Sequence, residues 1–206
     1  MITRRIVLGT RNVKKQRELE ELLAPLDIEV RTLAEYATAV EVEETGTTFG
    51  ENAVLKATQQ ALAIGEWVLG EDSGIAVDAL EGAPGVRSAR FSGEDATDQS
   101  NNRLLLKKLG DRPLRERSAH YVCHMALSDP TGEIAVAAEA ICRGRIVFEP
   151  RGSAGFGYDP LFEIVEYHRT FGELGDRVKS LISHRARALR RFVRGLRRSS
   201  SEGSRQ

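Results

Sequence analysis

The 206-residue sequence predicts an α/β protein built on a mixed β-sheet. Three observations lead there. Short apolar runs of strand length, at 6–8, 67–71 and 75–79, alternate with longer stretches of helical periodicity. A strong hairpin signal, Asp129-Pro-Thr-Gly132, joins two extended segments. A capping box opens a long helix at Thr48.

Taken in order, Ile6-Val7-Leu8 reads as a buried strand and Gly9-Thr10-Arg11-Asn12 as the loop after it. Residues 15–23 set Leu19, Leu22 and Leu23 on one helical face, and Pro25 stops that helix before Ile28-Glu29-Val30 resumes as strand. The helix capped by Thr48 and Glu51 is expected to reach about residue 64, with Phe49, Asn52 and Lys56 on one face. Trp67, Val68 and Leu69 run as strand into the acidic pair Glu71-Asp72, and Ser73-Gly74 reads as a turn before a further strand at 75–79. Gly82-Ala-Pro-Gly85 is another turn, and Asp98 is the expected N-cap of a helix carrying Leu104, Leu105, Leu106 and Leu109. Segments 119–128 and 133–143 flank the hairpin turn. A last helix is expected from about Ser183, burying Leu189, Phe192, Val193 and Leu196, while seven arginines fall between 185 and 198. The whole reads as a single domain over 1–198 with a polar, disordered tail over 199–206. No internal repeat is visible.

Composition excludes several classes. Lys+Arg and Asp+Glu each total 30, so the net charge is zero and a general nucleic-acid binder is not expected. Two cysteines, Cys123 and Cys142, support neither a disulfide framework nor a cysteine-based zinc site. No apolar stretch approaches the ~20 residues of a membrane span, and no signal-peptide pattern opens the chain. The expectation is a soluble, cytoplasmic protein with no membrane or nucleic-acid partner.

Several segments could carry chemistry. Two adjacent carboxylates at the edge of a core need water, a cation or hydrogen-bond donors, and a divalent metal meets all three needs; an acidic turn bonded to its own backbone is the bland alternative. Lys14 and Lys15 follow a strand–loop entry into a helix, which suits a phosphate, although a solvated first turn explains them equally well. Lys56 and the acids Glu43 and Glu44 have similarly plain alternatives as solvated surface. The run Gly155-Phe-Gly-Tyr-Asp-Pro160 is more telling, because glycines on both sides of Phe156 leave its ring open as a stacking platform. Ser183-His184-Arg185 opens the last helix with a cap and two outward donors. His120 and His124 share a strand and stand about 13 Å apart, too far for a common metal.

Together these segments resemble the inosine triphosphatase family, the dITP/XTP pyrophosphatases. The resemblance runs from Ile6 to about Leu196 through eight motifs in order. They are Thr-Arg-Asn-Val-Lys-Lys at 10–15, Glu-Glu-Thr-Gly at 43–46, Phe-Gly-Glu-Asn-Ala-Val-Leu-Lys at 49–56 and Glu-Asp-Ser-Gly at 71–74. Then come Gly-Ala-Pro-Gly-Val-Arg-Ser-Ala-Arg at 82–90, Ser-Gly-Glu-Asp-Ala-Thr-Asp at 92–98, Gly-Phe-Gly-Tyr-Asp-Pro at 155–160 and Ile-Ser-His-Arg at 182–185. The resemblance implies an elongated mixed sheet flanked by helices, with two lobes, an active-site cleft between them, and a homodimer. It implies Mg²⁺-dependent hydrolysis of non-standard purine nucleoside triphosphates (dITP, ITP, XTP) to the monophosphate and pyrophosphate, removing them from the nucleotide pool.

Matched position by position, Asp72 would be the general base and a metal ligand, with Glu44 and Glu71 as further metal contacts. Thr10, Arg11, Asn12, Val13, Lys14, Lys15, Lys56, Ser73, Phe156, Gly157, Tyr158, Asp159, Lys179, His184 and Arg185 would bind the nucleotide. The chain departs from the pattern at Arg11, where many members have glycine, at Glu71, commonly aspartate, and at Gly175 and Val178, often polar or acidic. Two rival classes remain: a pyrophosphatase for modified pyrimidine nucleotides, and a non-catalytic nucleotide or RNA binder using the arginine-rich last helix.

Overall fold

The computed structural model describes residues 3–202. Among them, seven strands form one mixed sheet in the order β2-β1-β3-β4-β5-β6-β7. They are β1 (Arg5–Leu8), β2 (Glu29–Thr32), β3 (Val68–Val77), β4 (Ser118–Ser128), β5 (Ile134–Ile146), β6 (Phe162–Ile164) and β7 (Arg169–Thr170). β1 pairs in parallel with β2 and β3, whereas β6 pairs antiparallel with β5 and β7. The helices are α1 (Val13–Leu23), α2 (Phe49–Ile64), α3 (Asp98–Leu109), α4 (Phe171–Ile182) and α5 (His184–Glu202).

The chain divides into two compact units, each assembled from separate stretches. One takes the described residues up to Asp72, Cys123–Ala140 and those from Arg187 onward; the other takes Ser73–Val122 and Ile141–Ala186. In the first unit, strand alternation builds a core on both faces of β1 and β3. Ile6, Leu8 and Leu69 pack with Leu19 and Leu23 of α1 and with Ala188, Leu189 and Phe192 of α5. Val7 and Val68 pack instead with Ala61 of α2 and Leu33. Burying each such large side chain is worth about 1.5–3 kcal/mol. In the second unit, Ile75 and Val77 join Leu105 and Leu109 of α3, Tyr121, Phe162 and Phe171.

Local chemistry explains most element boundaries. Asn12 caps α1 by accepting from the N–H groups of Lys14 and Lys15, so the helix opens at Val13, two residues earlier than the apolar pattern indicated. Thr48 and Glu51 form the expected box, and Gly65 closes α2 in the left-handed region at φ 69°. Thr97, rather than Asp98, caps α3, with its hydroxyl accepting from Ser100 N–H at 3.1 Å. Asp129 N–H bonds the Glu133 carbonyl at 2.9 Å and closes the β4–β5 hairpin.

The largest correction concerns β3, which is one continuous strand through Ser73-Gly74 rather than two strands parted by a turn. Gly74 serves close approach instead: a Cβ there would lie 2.3 Å from Ser88 Oγ and 2.8 Å from the Gly85 carbonyl. Helix α4 was not legible in the sequence, because Gly172 and Gly175 depress local helical propensity. Gly175 interrupts α4 at φ 75° and ψ 170°, a backbone state that favours glycine at this departure from the family pattern. Helix α5 runs to Glu202, into the segment read as a tail, and residues 203–206 lie outside the described residues. No described helix is long and apolar enough to cross a membrane.

Candidate active site

The first unit gathers charge around the end of its part of β3. A Cβ on Gly70 would fall 2.1 Å from the Ala53 carbonyl and 2.6 Å from Ala57 N, so α2 lies directly on the strand at this glycine. The same helix face carries Asn52 and Lys56. Lys56 Nζ consequently reaches Asp72 Oδ1 at 2.9 Å, Glu44 Oε1 at 3.1 Å and the Glu71 carbonyl at 3.3 Å. From α1, Lys15 Nζ meets Glu71 Oε2 at 3.1 Å and Asp72 Oδ1 at 3.8 Å. Glu71 is fully buried and Asp72 is 4% exposed.

Burial pushes the Asp72 carboxyl up from the ordinary aspartate range, against the pull of Lys15 and Lys56. The Lys56 ammonium is raised: desolvation by burial is its largest single influence and acts downward, but the combined attraction of Asp72, Glu44 and Glu71 outweighs it. Glu44, Glu71 and Asp72 are hard oxygen donors, the chemistry a magnesium ion takes. Among the described residues, no group of three histidines, cysteines or carboxylates is placed to hold a metal ion by itself. Magnesium is commonly held by one or two carboxylates together with phosphate oxygens and water. Glu71 is engaged at both oxygens, with Cys123 Sγ 3.4 Å from its Oε1 and Lys15 Nζ 3.1 Å from its Oε2.

The second unit builds a different cluster around the glycine-rich loop. Gly155, at φ 73°, is required on two counts, because a Cβ there would also lie 2.1 Å from Asp159 Oδ2. That oxygen accepts from Phe156 N–H at 2.9 Å and pairs with Lys179 Nζ at 2.5 Å, while Tyr121 OH donates to Asp159 Oδ1 at 3.3 Å. Lys179 Nζ sits 4.4 Å, and the Arg185 guanidinium 5.9 Å, from the centroid of the half-buried Phe156 ring. Ser183 is extended between α4 and α5 and accepts from Ala186 N–H at 3.2 Å, so α5 starts afresh with His184 and Arg185. His184 stacks on Tyr121 with centroids 4.5 Å apart and planes 8° from parallel; Arg185 Nη2 donates to Ser73 Oγ at 3.0 Å.

The sequence-predicted residues therefore divide by unit. Lys15, Glu44, Lys56, Glu71 and Asp72 converge in the first; Ser73, Phe156, Gly157, Asp159, Lys179, His184 and Arg185 belong to the second. Lys179, preceded by the atypical Gly175 and Val178, nevertheless reaches the Phe156 ring. Thr10 and Asn12 order the loop, with Asn12 N–H on Thr10 Oγ1 at 3.2 Å. Val13 and Lys14 are exposed in the first turn of α1, and Arg11 Nη2 donates to the Val40 carbonyl at 3.1 Å rather than to the carboxylates. Tyr158 faces inward: it is 3% exposed, burial pushes its phenol far up, and its OH donates to the Ser88 carbonyl at 2.8 Å. The histidines do not share a metal, since His120 lies toward Asp78 and His124 toward Glu139.

Supporting residues escaped the sequence reading. Asn52 donates to Asp72 Oδ2 at 3.4 Å, and Asn102 holds the Gly157 carbonyl at 3.0 Å. For Asn52, its place one turn before Lys56 was the available signal. Asn102 offered none.

A mixed-sheet scaffold with lysine-bound carboxylates in one unit and a cation-flanked aromatic ring in the other defines an α/β protein equipped for phosphate and a flat ring. The Ham1 family model matches residues 6–195, and the chain belongs to that family. It is 53% identical over 188 residues to the dITP/XTP pyrophosphatase of Rhodopirellula baltica, covering 91% of this chain and 90% of that protein. Against the dITP/XTP pyrophosphatase of Exiguobacterium sibiricum it is 47% identical over 192 residues, covering 93% and 96%. The solved HAM1 protein from Coxiella burnetii aligns with a TM-score of 0.83 at 36% identity, covering 98% of this chain and 100% of that one.

Proposed function

We propose that this chain hydrolyses non-standard purine nucleoside triphosphates (dITP, ITP and XTP) to the nucleoside monophosphate and pyrophosphate, clearing them from the nucleotide pool. The observation that carries the reading is Asp72, 4% exposed yet within 2.9 Å of Lys56 and 3.8 Å of Lys15. The relatives at 53% and 47% identity are dITP/XTP pyrophosphatases, which supports dITP and XTP among these substrates.

In this reading Asp72 accepts a proton from the water that attacks the α-phosphorus. The bond from that phosphorus to the bridging oxygen breaks, and pyrophosphate leaves with the electron pair. Burial makes Asp72 a better proton acceptor by raising its carboxyl toward the working pH. Lys15 and Lys56 offer fixed positive charge to the phosphate oxygens. The first N–H groups of α1, with the loop from Thr10 to Lys14, add donors suited to an anion. Glu44 and Asp72, with Glu71 behind them, would hold Mg²⁺, whose charge offsets negative charge developing on the phosphate oxygens when it is bound.

Base selection falls to the second unit. Phe156 offers a ring for stacking, and Ser73 steadies Arg185. The donors of His184 and Arg185 match the 6-oxo group of hypoxanthine or xanthine, whereas the 6-amino group of adenine would meet donor with donor. A cytoplasmic homodimer completes the proposal, and light scattering on the purified protein tests the dimer.

The deciding experiment measures pyrophosphate release with Mg²⁺ from dITP, ITP, XTP, ATP and GTP. The first three should turn over far faster. The 6-oxo contact discriminates against ATP alone, since guanine shares that group. ATP turned over as fast as dITP, ITP and XTP would overturn the reading of the base site, and preference for a methylated pyrimidine triphosphate would favour the rival enzyme class.

A further inference from the structure

We propose that Asn52, outside the residues assigned above, is a positioning residue that holds Asp72 and the Glu44 loop in register; the proposal rests on reading Asp72 as the general base. Asn52 is 1% exposed in the opening turns of α2. Its Oδ1 accepts the Gly46 N–H at 2.8 Å. A backbone N–H can only donate, so this bond settles which end of the amide is oxygen. The amide nitrogen is thereby turned toward Asp72 Oδ2, at 3.4 Å.

Asp72 thus meets a donor at each oxygen, and the two donors differ. Lys56 brings a charge to Oδ1 at 2.9 Å, whereas the amide of Asn52 orients Oδ2 without adding one. An amide donor of this kind orients the carboxylate plane and, like any hydrogen bond to the charged form, favours the carboxylate without adding a charge.

The same side chain holds the loop. A Cβ at Gly46 would come 2.6 Å from Asn52 Oδ1 and 2.7 Å from Glu51 Cβ, so only glycine lets the loop sit this close. Two residues earlier, Glu44 reaches Lys56 at 3.1 Å. One amide therefore links a loop carboxylate to the strand carboxylate through a helix that is anchored on β3 at Gly70. Displacing reacting groups by about 1 Å can lower rates on the order of a hundredfold, which is the scale expected for losing this link.

A buried amide that served only to satisfy local backbone would affect stability and leave catalysis alone. The test compares Asn52→Ala, Gly46→Ala and the double variant. It measures kcat and KM for dITP, and hydrogen exchange at residue 46 in metal-free, substrate-free protein. For Asn52→Ala, kcat should fall roughly 10- to 100-fold with KM changed less than about threefold, and the Gly46 amide should exchange at least about tenfold faster. The double variant should be no worse than the poorer single one, as expected of two partners in one contact. Unchanged kcat, unchanged exchange, or additive losses would overturn the proposal. If the wild type releases no pyrophosphate from any purine triphosphate, the catalytic reading and the catalytic half of this proposal fall together. Gly46 exchange then still decides whether Asn52 holds the loop.

Discussion

The charged clusters of the two units use the same pair of chemistries, a buried carboxylate and a lysine, to opposite ends. In the first, two lysines are shared among three acids: Lys56 touches Asp72 and Glu44, and Lys15 touches Glu71 and Asp72. Each cation has more than one partner, and the cluster keeps an excess of negative charge. In the second, Lys179 and Asp159 form a buried pair, 4% and 1% exposed, with Asp159 also bonded by Phe156 N–H and Tyr121 OH and Lys179 also 4.4 Å from the Phe156 ring centroid. A shared, unbalanced cluster can exchange partners with an arriving phosphate or cation. The Lys179–Asp159 pair is more deeply buried, and Asp159 ties it to the loop that carries the Phe156 ring.

That contrast can be broken by substitution. Asp72→Asn keeps the shape and removes the base, so turnover should drop roughly 10³-fold while circular dichroism and thermal midpoint stay near wild type. Near-normal turnover would place the base elsewhere. Lys179→Ala should act the other way. It leaves a buried charge without its pair and should lower unfolding free energy by about 3 kcal/mol in chemical denaturation. Lys56→Ala should cost less stability, because Lys15 also lies against Asp72; equal losses at the two lysines would erase the distinction drawn here.

A smaller effect concerns pH. In the second unit, Arg145 donates to Glu163 Oε2 at 2.6 Å and holds that carboxyl below the ordinary glutamate range, the reverse of what burial does to Asp72. A depressed carboxylate contributes stability that is complete above its unfolded pKa and is lost as pH falls through the lower folded value. Glu163→Gln should therefore reduce stability near neutral pH by about 1–2 kcal/mol and flatten its decline in acid. An acid decline as steep as in the wild type would remove Glu163 from its causes.

Legibility followed the range of the interaction. The capping box at Thr48 and Glu51, the hairpin at 129–132 and the alternation in β1 depend on residues a few positions apart, and all could be read directly. The family resemblance supplied many of the residues in both clusters, through motifs that name residue types without placing them; Asn52, Cys123 and Tyr121 were not among the residues it assigned. Ser73-Gly74 misled because a turn dipeptide and a glycine needed for close approach look alike in sequence. The contact of Gly74 with Ser88 decides between them. Helix α4 was hidden because its glycines weaken the local signal, while Thr170 and Glu173 supply the cap that starts it.

For the acidic pair, the sequence by itself determined that two carboxylates stand together on a strand near a capped helix with a lysine on its face. It determined equally that glycines flank Phe156 on both sides and leave its ring open, since residue order and local periodicity need no folded chain. Only the tertiary structure decided that Glu71 is committed to Lys15 and Cys123, that Asp72 is oriented by Lys56 and Asn52, and that Lys179 lies over Phe156. Those pairings rest on contacts such as Gly70 on Ala53, where the absence of a side chain lets distant segments meet. A pattern of residue types specifies which groups are available; the distances that set their protonation and partners exist only once the segments have packed.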